Sequence, residues 1–330
     1  MERGIEPMIY KTNETEYAPG FWPEGIGDSG ADEAEFSRAY LERAMQNRTV
    51  LEGTVLLCDN RYTLWVDLGC MRGMMEHDEV QLCPVGECLR DIAVVTRVGK
   101  PVSFLIIGFA YLENGEEVAV LSRKEAQRMC RAAFLDRRSA GDVIRAKVTS
   151  VEPFGVFVDV GCGIVSMLSI ENISVSRISH PNERFAPGAL IWVVIKSLIP
   201  GGRICISHKE LLGTWEENAA AFLPGQTVTG IVRNIESYGV FVELTPNLAG
   251  LAEYKDGLSI GQRAAVYIKS VIAPRMKVKL ALIDTYRCEG GGRALTYYLP
   301  QTCNADGIPH MDVWRYSPPA AGKCVESVFV

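Results

Sequence analysis

The chain has 330 residues, 48% hydrophobic and 22% charged, with a formal net charge of −6. That length holds two or three ordinary domains, and the composition is that of a globular protein rather than a disordered or fibrous one. No apolar run approaches the roughly 20 residues that cross a bilayer, and MERGIEPMIYKTNETEY lacks the basic start and apolar core of a signal peptide, so the expectation is a cytoplasmic protein with no membrane partner.

Residues 1 to about 28 mix acid with Pro and Gly, show no periodicity and read as flexible. From Ser29, SGADEAEFSRAYLERAMQNR sets a Ser before an Asp three residues on, then repeats Phe36, Tyr40, Leu41 and Met45 at helical spacing, which predicts a capped amphipathic helix. Residues 1–50, the acidic tail and helix, hold five Lys and Arg against ten Asp and Glu, a balance of −5. Residues 224–285 hold seven against five, a balance of +2, so the acidity that argues against a nucleic-acid partner sits mostly in the tail.

Three strand-rich blocks follow, opening EGTVLLCDNRYTLWVDLG, AGDVIRAKVTSVEPFGVFVDVG and PGQTVTGIVRNIESYGVFVELT. Each continues with a short apolar strand after a glycine and two further strands, five in all, too few for a sandwich and right for a small closed barrel. Helical connectors are predicted at 123–136 and 209–222, each directly after a strand. The repeating unit is therefore a barrel plus its exit helix. The expected organisation is mainly β: a first, divergent barrel at 51–139, a second at 140–223, a third at 224–285, and a C-terminal extension at 286–330 docked on the third.

The second and third blocks spell almost the same dozen residues, SVEPFGVFVDVG at 150–161 and NIESYGVFVELT at 234–245. Alternation puts Val156, Val158 and Val160 on the core face, with Phe157 and Asp159 outside. The third block puts Val240, Val242 and Leu244 inside, with Phe241 and Glu243 outside. A bend at Gly155 or Gly239 would swing Phe154 or Tyr238 round beside its partner ring. An exposed aromatic pair on a barrel face suits single-stranded nucleic acid, since every base offers a flat face to stack. The competing reading packs these rings under the exit helix or a neighbouring module.

The pattern G-x-V, a spacer, aromatic-G-V-F-V-(D/E)-(V/L), G-L-(V/A) and a terminal (R/K)-I-x-(L/I)-S resembles the S-one RNA-binding domain family, in three copies over about 50 to 285. ISHKELLGTWEENA is similar to the junctions between its copies. The resemblance implies five-stranded OB-type barrels, a bacterial source, and single-stranded RNA, with mRNA foremost, on one face of each. It places the stacking pairs at Phe154 and Phe157, Tyr238 and Phe241, and Tyr62 and Trp65. Phosphate-facing residues would be Arg203 and Lys277, helped by Lys196 and Lys269; each of these could equally be solvated strand surface.

The sequence departs from the pattern in several places. Where the family often has a histidine after G-L-V, this chain has Ser166, Glu253 and Glu76, and the acidic residue before the final arginine is missing. In the first copy Thr63 replaces the bend glycine and Glu117 the basic residue, so that barrel is expected to bind RNA poorly and to hold a partner instead.

Ten scattered cysteines form no C-x-x-C pair and read as buried free thiols, and neither Cys83 with Cys88 nor Cys303 near His310 has a matching second ligand pair. No metal or cofactor is expected. Without a catalytic triad, a phosphate-binding glycine loop or an H-E-x-x-H motif, and with four isolated histidines, the reading is a non-catalytic RNA-binding protein tied to translation or mRNA handling. Its rival is a protein-interaction scaffold whose acidic tail suits a basic partner, such as a ribosomal protein or the ribosome.

Overall fold

Residues 21–26, 36–84, 86–199, 203–286 and 295–329 are described by the computed structural model. Their contacts divide into two units, one of Met1–Cys83 with Glu87–Leu135, the other of Pro84–Gly86 with Asp136–Val330.

In the first unit, β1 (Leu51–Cys58), β2 (Leu64–Asp67), β3 (Arg72–Met75), β4 (Pro101–Tyr111) and β5 (Glu117–Ser122) close into a barrel in the order β1-β2-β3-β5-β4. Strand alternation turns Leu51, Val55, Leu64, Val66 and Met75 inward, where they meet Phe104 and Leu121. Helix α1 (Arg38–Gln46) buries Leu41 and Ala44 and is capped by Ser37, whose hydroxyl accepts from the Tyr40 amide. The expected cap, Ser29, lies outside the described residues. Short helix α2 (Asp91–Val95) precedes β4, and α3 (Arg123–Ala133) starts directly after β5 on a Ser122 cap.

Residues 21–26, within the stretch expected to be flexible, are seated on this barrel. The fully buried Arg123 guanidinium donates to both Glu24 carboxylate oxygens, at 2.6 and 3.0 Å, and to the Val80 carbonyl at 2.9 Å. Those bonds meet the need of a charge taken out of water.

In the second unit, β6 (Val143–Glu152), β7 (Gly155–Asp159), β8 (Val165–Ser169), β9 (Leu190–Ile199) and β10 (Arg203–Ser207) form a sheet in the order β10-β9-β6-β7-β8. Strands β11 (Thr227–Glu236), β12 (Gly239–Thr245), β13 (Leu248–Ala252), β14 (Arg263–Ile272) and β15 (Lys277–Tyr286) close fully, in the order of the first barrel. The protein is thus mainly β, with two closed and one nearly closed five-stranded barrels and short helices.

One position distinguishes the open sheet from the two closed barrels. Val66, Val158 and Val242 pair with Gly73, Ser166 and Gly250 respectively. A Cβ at Gly73 would lie 2.3 Å from Leu121 Cδ1, and one at Gly250 would lie 2.6 Å from Leu280 Cδ1. Glycine there lets β3 reach β5, and β13 reach β15, as parallel neighbours. Ser166 puts a side chain at the matching place, and β8 and β10 are not paired.

The connector at 209–222 is not the single helix expected. A 3-10 turn at Lys209–Leu212 ends at Gly213, whose φ of +83° is a left-handed value that glycine adopts without strain. Helix α4 (Trp215–Ala219) then restarts on a Thr214–Glu217 capping box.

Beside this joint His208 is fully buried. Its Nδ1 lies 2.7 Å from the Ile173 carbonyl, and its Nε2 lies 3.1 Å from the Tyr297 hydroxyl. A proton on Nδ1 donates to that carbonyl, and Nε2 then accepts from the tyrosine.

The extension, described over 295–329, carries a hairpin of β16 (Val313–Arg315) and β17 (Glu326–Val328). It meets the second barrel through the Val143 amide, which donates to Pro309 at 2.8 Å, and through His310 Nδ1, 2.7 Å from Asp142 Oδ1. It meets the joint through the Trp215 amide, which donates to Tyr316, and the third barrel through the Tyr316 hydroxyl, which donates to the Asn247 carbonyl at 2.5 Å. None of the nine described cysteines is in a disulfide, but only Cys130 and Cys162 are buried, which corrects the expectation of buried thiols. Among the described residues no helix is long and apolar enough to cross a membrane.

Candidate nucleic-acid interface

In the second barrel Glu152 pairs with Gly155, and in the third Glu236 pairs with Gly239, so two-residue turns join β6 to β7 and β11 to β12. Phe154 and Tyr238 occupy the second place of those turns, 54% and 68% exposed. The bend foreseen at the glycines lies instead on the partner strands, as register shifts between Val148 and Ser150 and between Val232 and Asn234. The glycines serve close approach: a Cβ at Gly155 would stand 2.4 Å from the Leu168 carbonyl oxygen, and one at Gly239 would stand 2.6 Å from that of Ala252.

These turns bring each first ring to its partner. Phe154 and Phe157 meet edge to face with centroids 6.1 Å apart and planes at 85°, and Tyr238 and Phe241 do so at 6.2 Å and 90°. Such contacts contribute about 0.5–1.5 kcal/mol each, enough to hold a ring in place while its outer face stays open. The inward valines of both strands are fully buried, as alternation predicts.

Asp159 and Glu243, expected outside beside these rings, are buried. The Asp159 carboxylate accepts from the amides of Gly161 and Gly163 at 2.8–3.1 Å and so fixes the β7–β8 loop. Glu243 accepts from Arg184 and from Arg233, the latter at 2.8 Å, and Arg233 also pairs with Glu183. Glu243 therefore knits the third barrel to the second. The partners of Glu243 lie on other segments and leave no local mark, whereas Asp159 takes the amides two and four residues on, so the run Asp159-Val160-Gly161-Cys162-Gly163 is a local signal of its burial.

The first copy is built differently. Trp65 matches Phe157 and Phe241, for it pairs with Met74 as they pair with Met167 and Leu251. Its ring lies under the Arg72 guanidinium, 4.7 Å from the centroid, and Arg72 is anchored by two bonds to Glu116 at 2.8 and 2.7 Å. That hydrogen bond holds the Glu116 carboxyl below its usual range. Tyr62, at φ +60°, meets His77 edge-on at 6.2 Å. Among the described residues Tyr62 and Trp65 do not form the edge-to-face pair of the other copies.

All four basic residues are exposed, Lys196 on β9, Arg203 on β10, Lys269 on β14 and Lys277 on β15. Lys269 is paired with Glu253 at 2.7 Å, which holds the Glu253 carboxyl below its usual range. Register adds residues that the sequence reading missed. Phe157 lies opposite the exposed Met167, and Phe241 opposite Leu251, which in turn pairs with the exposed Lys279. A row Phe241–Leu251–Lys279 thus crosses three neighbouring strands at about 4.8 Å per strand. The alternation of Lys277 and Lys279 with buried Val278 and Leu280 is the signal that would have found Lys279.

The family described as "S1 RNA binding domain" matches residues 138–209. The small ribosomal subunit protein bS1 of Rhodopseudomonas palustris is 27% identical over 271 residues, 77% of this chain and 46% of that protein. Its counterpart in Staphylococcus epidermidis is 27% identical over 68% of this chain and 56% of that protein. The bS1 of Leuconostoc lactis is 33% identical over 50% of this chain and 39% of that protein. The chain therefore spans about half the length of these relatives. Residues 138–209 are an S1 RNA-binding domain, within a chain that is distantly homologous to bacterial ribosomal protein bS1 over much of its length.

Proposed function

We propose that the chain is a non-catalytic protein that binds single-stranded RNA on the aromatic faces of the second and third barrels, and that it acts on mRNA in translation, in the cytoplasm. The observation that carries this reading is the recurrence of one exposed edge-to-face ring pair, at 6.1 and 6.2 Å, on two barrels. Stacking reads no base edges, so binding should favour single strands with little sequence preference. With three to five phosphates neutralised, log K should fall with log salt at a slope of roughly −2 to −3.5.

The test is Phe157→Ala and Phe241→Ala in the full chain, followed by fluorescence anisotropy with labelled oligouridine and by melting temperature. Each should weaken binding by about 1–3 kcal/mol while the protein stays folded. Equal affinity for a duplex of the same length, or loss of stability by about 3–5 kcal/mol with binding intact, would show the rings to be packing elements.

For the first barrel a protein partner is better supported, because Arg72 already covers the Trp65 ring. A basic protein such as a ribosomal protein suits the acidic balance of −5 over residues 1–50. Copurification of a ribosomal protein that survives nuclease treatment would support this role.

A further inference from the structure

Strand register aligns the three barrel faces residue for residue. Gly155 pairs with Ser169 in the second barrel. In the third, Val240 pairs with Ala252, which leaves Glu253 at the place of Ser169, and in the first, Leu64 pairs with Met75, which leaves Glu76 there. Ser169, rather than Ser166, is therefore the counterpart of Glu253 and Glu76. This place adjoins the turn that carries the first ring of each pair.

Two strands round the barrel from this place, Lys196 and Lys269 correspond in the same way. Val194 pairs with Val143, the first residue of β6, and Tyr267 pairs with Thr227, the first residue of β11. Each lysine stands two residues further along. The two barrels thus carry the same lysine and differ in the residue at the place of Glu253. Lys269 Nζ lies 2.7 Å from Glu253 Oε1. Lys196 has no ion-pair partner among the described residues, and Ser169 accepts a bond from Asn172 Nδ2 at 2.9 Å.

We propose that Glu253 limits the RNA affinity of the third barrel by competing with phosphate for Lys269, and that Ser169 leaves Lys196 available for phosphate in the second. This inference rests on the RNA-binding reading above. Glu253 is 86% exposed in its side chain, so the ion pair adds little to folding. Its consequence is for a ligand that must displace the carboxylate or forgo the lysine. A phosphate bound by Lys269 in the presence of Glu253 also meets an uncompensated negative charge.

The test uses Glu253→Ser, Ser169→Glu and both together in the full chain, with oligouridine anisotropy across a salt series. Freeing Lys269 should steepen the slope of log K on log salt by about 0.7, an extra factor of roughly 2.5 in affinity between 0.2 and 0.05 M salt. Ser169→Glu should flatten it by as much, and the double variant should return to the starting slope, all with unchanged melting temperatures. Slopes unmoved by either substitution would overturn the inference while leaving RNA binding in place. If the unaltered chain fails to bind oligouridine, the RNA reading falls and the inference with it.

Discussion

The Ser166 hydroxyl donates to the carbonyl oxygen of Ile204 at 2.6 Å, a side-chain bond across the seam between β8 and β10 where the other two barrels have backbone pairing. Ser166→Gly should let β8 and β10 pair directly, slowing amide hydrogen exchange over Val165–Ser169 and Arg203–Ser207. Gly250→Ala should do the reverse, forcing Leu280 aside at a cost of about 1–3 kcal/mol. Unchanged exchange in the first variant would show that something other than this side chain keeps the seam open.

Phe154 and Tyr238 are exposed in turns, so their replacement by Ala should change stability by no more than about 0.5 kcal/mol. Each should nonetheless cost about 1–3 kcal/mol of RNA binding through the lost stack. Trp65→Ala should cost less, since Arg72 already occupies its ring face. Anisotropy on the three variants gives the ranking, and an equal loss at Trp65 would contradict it.

Burial lowers the His208 pKa to about 4, against the raising effect of its bond to Ile173. The folded protein keeps this ring neutral while the unfolded chain takes up a proton below about pH 6.5. Its contribution is therefore complete above about pH 6.5 and declines as pH falls, by about 3 kcal/mol on reaching pH 4. Urea unfolding at several pH values should show the decline, and NMR titration of the ring should find no protonation above pH 5.

His310 has the opposite sign. Burial pulls its pKa down, but the bonds to Asp142 and Asp312 prevail and raise it above 6.5. Its support for the extension is complete below about pH 6.5 and is lost as pH rises through the elevated value. Exchange protection over 304–312 should fall between neutral and mildly alkaline pH, and His310→Gln should abolish that dependence.

Glu243→Ala would leave Arg184 and Arg233 buried without their shared carboxylate. Removing one partner of a buried ionic cluster costs about 3–5 kcal/mol, which urea unfolding would register. A loss below about 0.5 kcal/mol would mean that water reaches the cluster freely.

Much of the ring geometry was legible because it is local. Phe154 and Phe157 are three residues apart, and a turn of two residues suffices to bring them together. The carboxylates were misread because alternation gives the parity of a side chain and says nothing of its partners. Asp159 and Glu243 have outward parity, yet folding supplies loop amides to one and two guanidinium groups to the other. Burial of a charge follows its partners, and alternation is blind to them.

The sequence alone determined the number of barrels, the inward valines and the doubled aromatic motif, since each follows from short-range alternation and turn chemistry. Tertiary structure alone decided which barrel stays open at Ser166, that Arg72 covers Trp65, that Lys279 joins the Phe241 row, and that Glu253 holds Lys269. Each of these depends on the register between strands. A shift of one residue would turn every side chain to the other face, so register is settled only when the whole barrel packs.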